Sequence, residues 1–495
     1  MDLLFSALEM LARWDILIAL VAGSLGGIII GAIPGVGPAV AIAILLPATY
    51  AMEPLTGLTL LLGIYGSSMF GGALPAILLN TPGTAVNALT TYDGYPLTRR
   101  GEATRAISLA YGASFCGGVI SVLALIALSP LLASIAPNFG AKEIFLAALL
   151  GMVLVVIVHR GQNMAAGALL CFGIFINTIG LEPIRYSKRF TFDQTWLTSG
   201  IDVIVVVLGL FALSQALVLL IGKDQDAAEP KIRRGVFQHL FEVLRFPKTV
   251  LSSSGFGVIF GIIPGVGEFL AQFFSYSLAQ KTSKQPEEFG NGSPEGIIAS
   301  EAANNAVPAA AMIPLLALGI PGEALTAMML TVFYVHNVIP GPGLFEQRPE
   351  FVLGLYLCLL VLNVLALVFL ILFSRQLTRV IVIPNRYLGM IILTLSFVGV
   401  YALRNSVTDC AIAASFGVLG MVLKRLNLPI VPIVLGMVLG GIMEVKLRIA
   451  LANVQTPLDM INRPIAATIF GLIVLAVTLH LISVVRLRKA LSNPV

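Results

Sequence analysis

Polar side chains are scarce in this 495-residue chain, so those set among apolar residues stand out. Asn80, Thr81, Gly83, Thr84 and Asn87 lie in and just after the phrase Asn80-Thr81-Pro82-Gly83-Thr84. Gly322, Glu323 and Thr326 lie in and after Ile320-Pro321-Gly322-Glu323, and Ser67 and Ser68 follow Tyr65-Gly66. None of these phrases contains Lys or Arg. Anion capture here would rest on backbone N–H groups and amide dipoles, which suits a carrier that must also release its load. Thr81 is a good N-cap and Pro82 suits a first helical position. A helix is therefore expected to start there, with free N–H groups and the positive dipole end turned to a carboxylate. Gly83 permits close approach, while Thr84 and Asn87 share a helix face. Ser67 and Ser68 are read either as substrate contacts or as small residues that allow tight packing.

Acidic and amide groups form a second set. Glu301, Asn304 and Asn305 fall on one helix face, and Glu268 has Gln272 one turn later. Ionisable residues at membrane depth are costly and mostly functional. Glu268, Glu301, Asn304 and Asn305 are thus candidates to hold a coupling ion, Na⁺ or H⁺. For Glu301 a capping carboxylate near the membrane surface is an equal alternative. No other cofactor or metal is expected. His336 reads as a loop histidine, Arg404 with Asp409 as an interfacial ion pair, and 92–96 as a turn before a basic loop.

The elements that must position these groups are broken helices. Gly31-Ala32-Ile33-Pro34-Gly35-Val36-Gly37 sits inside the apolar stretch 17–47, and Gly261-Ile262-Ile263-Pro264-Gly265-Val266-Gly267 inside 250–278. Proline removes an N–H and glycine relaxes the backbone, so Pro34, Gly35, Gly37, Pro264, Gly265 and Gly267 should break each helix in mid-course. Such breaks are tolerated only where protein buries them or they line a watery cavity. The two PGVG phrases are 230 positions apart, and the stretches beginning at Pro75 and Pro314 are 239 apart. Two phrases in one order at nearly one offset mark an internal repeat, and paired interruptions point to a transporter's binding site.

Hydrophobic residues are 58% and charged residues 11%, with a mean hydropathy of +0.96. A soluble chain would carry about a quarter charged residues. The fold class is an all-α polytopic membrane protein with about 12 transmembrane helices. It has two structural repeats, each with a broken helix and a hairpin-like motif; the inverted arrangement is the usual one for paired broken helices. The first repeat covers 1–222, a charged cytoplasmic linker 223–248, and the second repeat 249–495. Residues 1–13 lack a basic leader pattern and read as a surface helix entering the first span. The clusters Arg99/Arg100/Arg105, Lys231/Arg233/Arg234/Arg245 and Arg486/Arg488/Lys489 should face the cytoplasm. Arg185, Lys188 and Arg189 then dissent, falling outside. A net charge of +5 does not suggest nucleic acid.

Together these phrases resemble the large membrane subunit of the tripartite tricarboxylate transporter family. The stretches that carry the resemblance are GAIPGVGP at 31–38, ILLNTPGTAVNALTTYDGYPLTRRGEATRA at 77–106 and the run from GIIPGVGEF to EAANNA at 261–306. LALGIPGEALTAMM at 316–329 and VIPGPGLF at 338–345 complete it. The resemblance implies a multi-pass carrier of the bacterial inner membrane that takes up small carboxylates, driven by an ion gradient. It implies two partners, a small membrane subunit of about four helices and a periplasmic solute-binding protein. Glu323 departs from the pattern, which more often has a small polar residue there. A carboxylate at that point repels an anionic substrate unless it is protonated or paired with a cation. The alternatives are a stand-alone ion-coupled anion carrier and, behind it, a channel or scaffold subunit. An enzyme is disfavoured, since the chain has no H-E-x-x-H motif and its four histidines are scattered. Alternating access by elevator-like motion of the tip-bearing segments is the expected mode.

Overall fold

The computed structural model describes residues 2–159, 161–222, 236–265, 267–380, 383–452 and 456–492. Val266 and the linker residues Lys231, Arg233 and Arg234 lie outside these, as do the side chains of Arg486, Arg488 and Lys489. The described chain is almost entirely helical, with 21 α-helices and one two-residue hairpin pairing Gly180–Leu181 with Lys188–Arg189. Among the described residues nine helices are long and apolar enough to cross a membrane. Three shorter apolar helices, Gly37–Thr49, Asn163–Asn177 and Ala324–Val335, accompany them. Many large apolar side chains point outward; on Pro464–Ser492 these include Leu472, Leu475, Leu479 and Leu481. Such faces suit lipid, where apolar exposure carries no hydration cost.

The chain forms two compact units, each built from two separate segments of the sequence. One comprises 1–134 and 204–422, the other 135–203 and 423–495. The second unit packs Asn163–Asn177 on Val431–Leu451 at small residues: a methyl on Gly173 would overlap the Ile433 carbonyl, and one on Gly436 the Leu170 carbonyl. The dissenting basic loop lies in this unit. Arg189 pairs with Glu444 at 2.6 Å, and Arg448 pairs with Glu182 at 3.0 Å and with Glu444 at 3.2 Å. Two arginines thus meet two carboxylates, so this loop presents less free positive charge than its sequence suggests.

The first unit contains every candidate site residue. Helix Trp14–Ala32 lies against Pro54–Leu79, and Pro247–Ile262 lies against Pro294–Leu318. Both pairs cross at glycines that let the backbones touch. A methyl on Gly27 would stand 2.8 Å from the Ile64 carbonyl, and one on Gly31 would overlap that of Ser68. A methyl on Gly257 would overlap the Ala303 carbonyl, and one on Gly261 would stand 3.0 Å from that of Val307. The second set follows from the first by the same steps of 230 and 239 residues that relate the two motifs.

Candidate functional site

The breaks form where proline and glycine dictate. Helix Trp14–Ala32 ends at Ile33 (φ −86°, ψ 114°) and Pro247–Ile262 at Ile263 (φ −82°, ψ 115°), dihedrals that agree within a few degrees. Gly35 and Gly37 take φ +80° and +65°; Gly265 and Gly267 take +81° and +68°. Side chains at such angles would be strained, so these four positions need glycine. The helices Gly37–Thr49 and Gly267–Thr282 resume from the breaks. A methyl on Gly37 or Gly267 would meet nothing, so each break opens onto space.

Each break is tied to the tip of its own half. The Gly35 N–H donates to the Gly83 carbonyl at 3.0 Å, and the Gly265 N–H donates to the Gly322 carbonyl at 2.6 Å. Each tip follows a helix that ends in a left-handed residue, Asn80 (φ 57°) or Gly319 (φ 69°). Thr81 and Ile320 donate back to the carbonyls of Pro75 and Pro314. After the second tip a helix does start. Helix Ala324–Val335 starts at Glu323, whose N–H donates to Thr326 Oγ1 at 3.0 Å. After the first tip it does not. No helix starts at Pro82; residues 85–87 make one 3₁₀ turn and an α-helix begins only at Thr90. Thr81 is no N-cap, because its residue belongs to the closing turn of the preceding helix, and its Oγ1 is buried without a partner.

The polar residues of each tip reach into the opposite half of the sequence. From the first tip, Asn87 Nδ2 donates to Glu301 Oε1 at 3.1 Å and to the Met69 carbonyl at 3.2 Å. Thr84 Oγ1 donates to Asn87 Oδ1, Thr90 Oγ1 to Glu301 Oε1 at 2.5 Å, and Ser114 Oγ to Glu301 Oε2 at 3.0 Å. Asn305 Nδ2 lies within reach of Ser114 Oγ (2.8 Å), the Glu301 carbonyl (3.1 Å) and Glu301 Oε2 (3.4 Å). Glu301 is fully buried and eighth in helix Pro294–Leu318, so the capping alternative fails. Asn304 beside it is equally buried, and both its amide atoms lack partners.

From the second tip, Glu323 Oε1 contacts the Tyr65 hydroxyl, which also lies 2.7 Å from Glu268 Oε1. A phenol has one proton to give, so it serves one carboxylate; the other contact requires a proton on that carboxyl. Two acids and a phenol thus share protons here. Tyr65 escaped the sequence reading, although its place beside Gly66-Ser67-Ser68 in an apolar span was a signal. Ser68 turns inward, its Oγ donating to the Tyr65 carbonyl at 2.8 Å, and serves packing against Gly31. Ser67 Oγ is buried with no partner. Gly83 is buried between Gly31 and Gly72, and Gly322 lies against Gly261.

A further link was not read at all. Residues 92–96, expected as a turn, lie inside helix Thr90–Arg99, and Asp93 on it is buried. Its Oδ1 accepts the N–H groups of Gly290 (2.8 Å), Gly292 (3.0 Å) and Ser293 (2.8 Å), and its Oδ2 accepts the Tyr276 hydroxyl (2.7 Å). Burial pushes the Asp93 carboxyl above the usual carboxylate range despite these donors. Residues 290–293 are therefore a clasped turn leading into Pro294–Leu318. An open groove of about 460 Å³ runs beside helix Thr90–Arg99, lined by Asn80, Pro82, Thr91, Tyr92 and Tyr95 among others. Elsewhere His336 Nε2 meets the Thr49 carbonyl at 3.1 Å, and Arg404 pairs with Asp409 at 2.9 Å.

The sequence profile of the tripartite tricarboxylate transporter TctA family matches residues 17–435. An uncharacterized 52.8 kDa protein of Agrobacterium vitis, from the TAR-I ttuC' 3' region, is 32% identical over 470 residues, covering 94% of this chain and 93% of that protein. A second uncharacterized Agrobacterium vitis protein, from the TAR-II ttuC' 3' region, is 33% identical over 234 residues, 47% of this chain and 97% of its own. No solved structure matches the chain.

Proposed function

The chain belongs to the tripartite tricarboxylate transporter TctA family, a family of transporters, and from that premise we propose that it is the large membrane subunit of an ion-driven uptake system for small di- or tricarboxylates. The observation that carries this reading is the pair of matching glycine bonds, Gly35 to Gly83 and Gly265 to Gly322. They give each half a break and a tip held as one piece, the architecture that binds substrate at membrane depth in carriers built from repeats. The halves 1–222 and 249–495 are inverted repeats, joined by a cytoplasmic linker at 223–248. About 12 of the chain's helices cross the membrane.

The substrate carboxylates sit between the tips. Backbone N–H groups at the breaks and at Gly322 receive them, with Asn80, Thr81, Thr84, Asn87, Ser67 and Thr326 as side-chain contacts. Asn304 joins this set. It stands 239 positions after Tyr65, so it takes in the second half the place that Tyr65 takes in the first. Its unpartnered amide is a donor and acceptor awaiting a ligand. The proton shared by Glu268, Glu323 and Tyr65 leaves one negative charge in place of two, which lowers the repulsion of an anion at Glu323. Elevator-like motion of the tip-bearing segments exchanges access between the two sides. In the bacterial inner membrane the carrier works with a small subunit of about four helices, and a periplasmic solute-binding protein delivers the substrate.

Uptake of labelled mono-, di- and tricarboxylates into proteoliposomes, with and without the cognate small subunit and solute-binding protein, tests this. Saturable, gradient-dependent uptake that needs the binding protein is the expected result. Uptake that never saturates points to a channel, and uptake independent of the binding protein points to a stand-alone carrier.

A further inference from the structure

The segment Val236–Arg245 has two unlike sides. As a 3₁₀ helix of ten residues it is about 20 Å long, too short to cross a membrane. Leu240 and Val243 on its inner side are buried, and a methyl on Gly112 would stand 2.8 Å from the Leu240 carbonyl. Glu242 pairs with Arg105 at 2.6 Å. Arg105 and Gly112 stand about 10 Å apart along helix Ala103–Ile135. The segment therefore lies along the Arg105 end of that span, the end that the charge rule turns to the cytoplasm. On the outer side Phe237, Phe241 and Leu244 are 57%, 60% and 63% exposed. The two phenylalanine rings meet edge to face at 5.5 Å. Cations flank this face. Arg245 and Lys248 follow it directly, while Arg99 and Arg100 come just before Glu102, which shares Arg105 with Glu242. These four are exposed and take no ion-pair partner among the described residues. Arg105 already engages both acids, Glu102 and Glu242. The neighbouring loop brings Glu287 and Glu288, matched in number by Lys281 and Lys284. The patch is therefore positive beside an apolar edge.

We propose that Val236–Arg245 and the basic residues beside it bind anionic phospholipid at the cytoplasmic membrane surface. Phe237 and Phe241 sit among the upper acyl chains, and Leu244, next to Arg245, lies at the headgroup level. Arg99, Arg100, Arg245 and Lys248 meet the phosphates. Amphipathic helices in a membrane surface bury their apolar face about 5–10 Å deep, the depth that the segment covers between Arg105 and Gly112. Clusters of four or more Lys and Arg beside a span favour anionic lipid. A partner protein's apolar face would cover the phenylalanines and leave four cations unmatched; an anionic leaflet meets both. The segment runs straight into helix Pro247–Ile262, which ends at the second break, so bound lipid fixes the root of that helix.

The test is amide hydrogen exchange of the full-length protein in nanodiscs of phosphatidylcholine alone and of phosphatidylcholine with phosphatidylglycerol in equal parts. Exchange across 236–245 is expected to slow about fivefold or more with phosphatidylglycerol and to lose most of that protection at high salt. The core of helix Pro294–Leu318 should exchange alike in both. Each basic residue near an anionic surface adds roughly a fivefold preference, so Arg245→Gln with Lys248→Gln should remove most of the difference between the lipids. Phe237→Ser with Phe241→Ser should speed exchange of the segment in both. Equal exchange in the two lipids, or an unchanged difference in the Arg245→Gln, Lys248→Gln variant, would overturn the site. Protection that follows the number of protein copies per nanodisc instead of the lipid would assign the face to a second copy and overturn it likewise. Carboxylate uptake enters none of these readings, so the site stands or falls apart from the carrier.

Discussion

Glu301 survives away from water because donors from the other half of the sequence face it. Asn87, Thr90 and Ser114 supply three hydrogen bonds to its two oxygens. Glu301→Ala would leave those donors buried and unmatched, at a cost on the order of 3 kcal/mol or more. Glu301→Gln keeps an acceptor and should cost about 1 kcal/mol. Thermal unfolding in nanodiscs checks the order; equal losses would deny the carboxylate its place in the network. Asp93 makes a parallel case. Asp93→Ala frees three N–H groups and a phenol, so the loop 286–293 should exchange its amide hydrogens faster while the helix cores stay protected. Glu242 carries the pH dependence. The Arg105 guanidinium holds its carboxyl below the usual carboxylate range. A depressed pKa contributes stability that is fully present above the unfolded value, about 4.3, and is lost as pH falls through the folded value. The segment Val236–Arg245 should therefore loosen only in that acid window, and Glu242→Gln should remove the step. Limited proteolysis of the segment between pH 7 and pH 3 reads both.

At the scale of the element, the two tips resemble each other in connection and differ in tolerance. A methyl on Gly83 would overlap the Gly31 carbonyl and stand 2.8 Å from Gly72 Cα, whereas one on Gly322 would stand 3.1 Å from the Gly261 carbonyl. Backbone cannot give way as a flexible side chain can, so Gly83→Ala should abolish folded expression. Gly322→Ala should fold with a loss of about 1–3 kcal/mol. Size-exclusion profiles and melting curves of the two variants settle the ranking, and equal tolerance would contradict the packing. The breaks and the second tip were legible in the sequence because proline and glycine act on their own backbone. The start of helix Ala324–Val335 was legible for the same reason. The first tip misled because Thr81-Pro82 looks like a helix start, while Asn80 closes the preceding helix with a left-handed turn and leaves Thr81 in that closure.

For the whole molecule, apolar run length and order located the helices, but partners across the sequence could not be read. Tyr65 with Glu268 and Glu323, and Asp93 with Gly290, Gly292 and Ser293, are separated by about two hundred residues or more. Only tertiary packing brings them together. The division into compact units was equally hidden, because each unit gathers two segments that are far apart in the sequence. The charge rule could be read in part. Arg105 meets Glu242, so the Arg99/Arg100/Arg105 cluster and the segment Val236–Arg245 share one end of their unit. With the four native cysteines replaced, Arg100→Cys and Leu244→Cys should both react with a membrane-impermeant maleimide only from the cytoplasmic side. Labelling of the two from opposite sides would exclude a common face.

The glycine bonds carry one more implication. Because every kink is riveted to the corner of its own half, neither is free to flex against it, and shape change must be accommodated along the seams between the halves. Those seams combine the hydrogen bonds of Asn87 to Glu301 and of Tyr65 to Glu268 and Glu323 with an apolar cluster that includes Phe70, Ile77, Ile297 and Ile298. Buried polar groups are costly to leave unmatched, so movement along such a seam would have to exchange one set of partners for another.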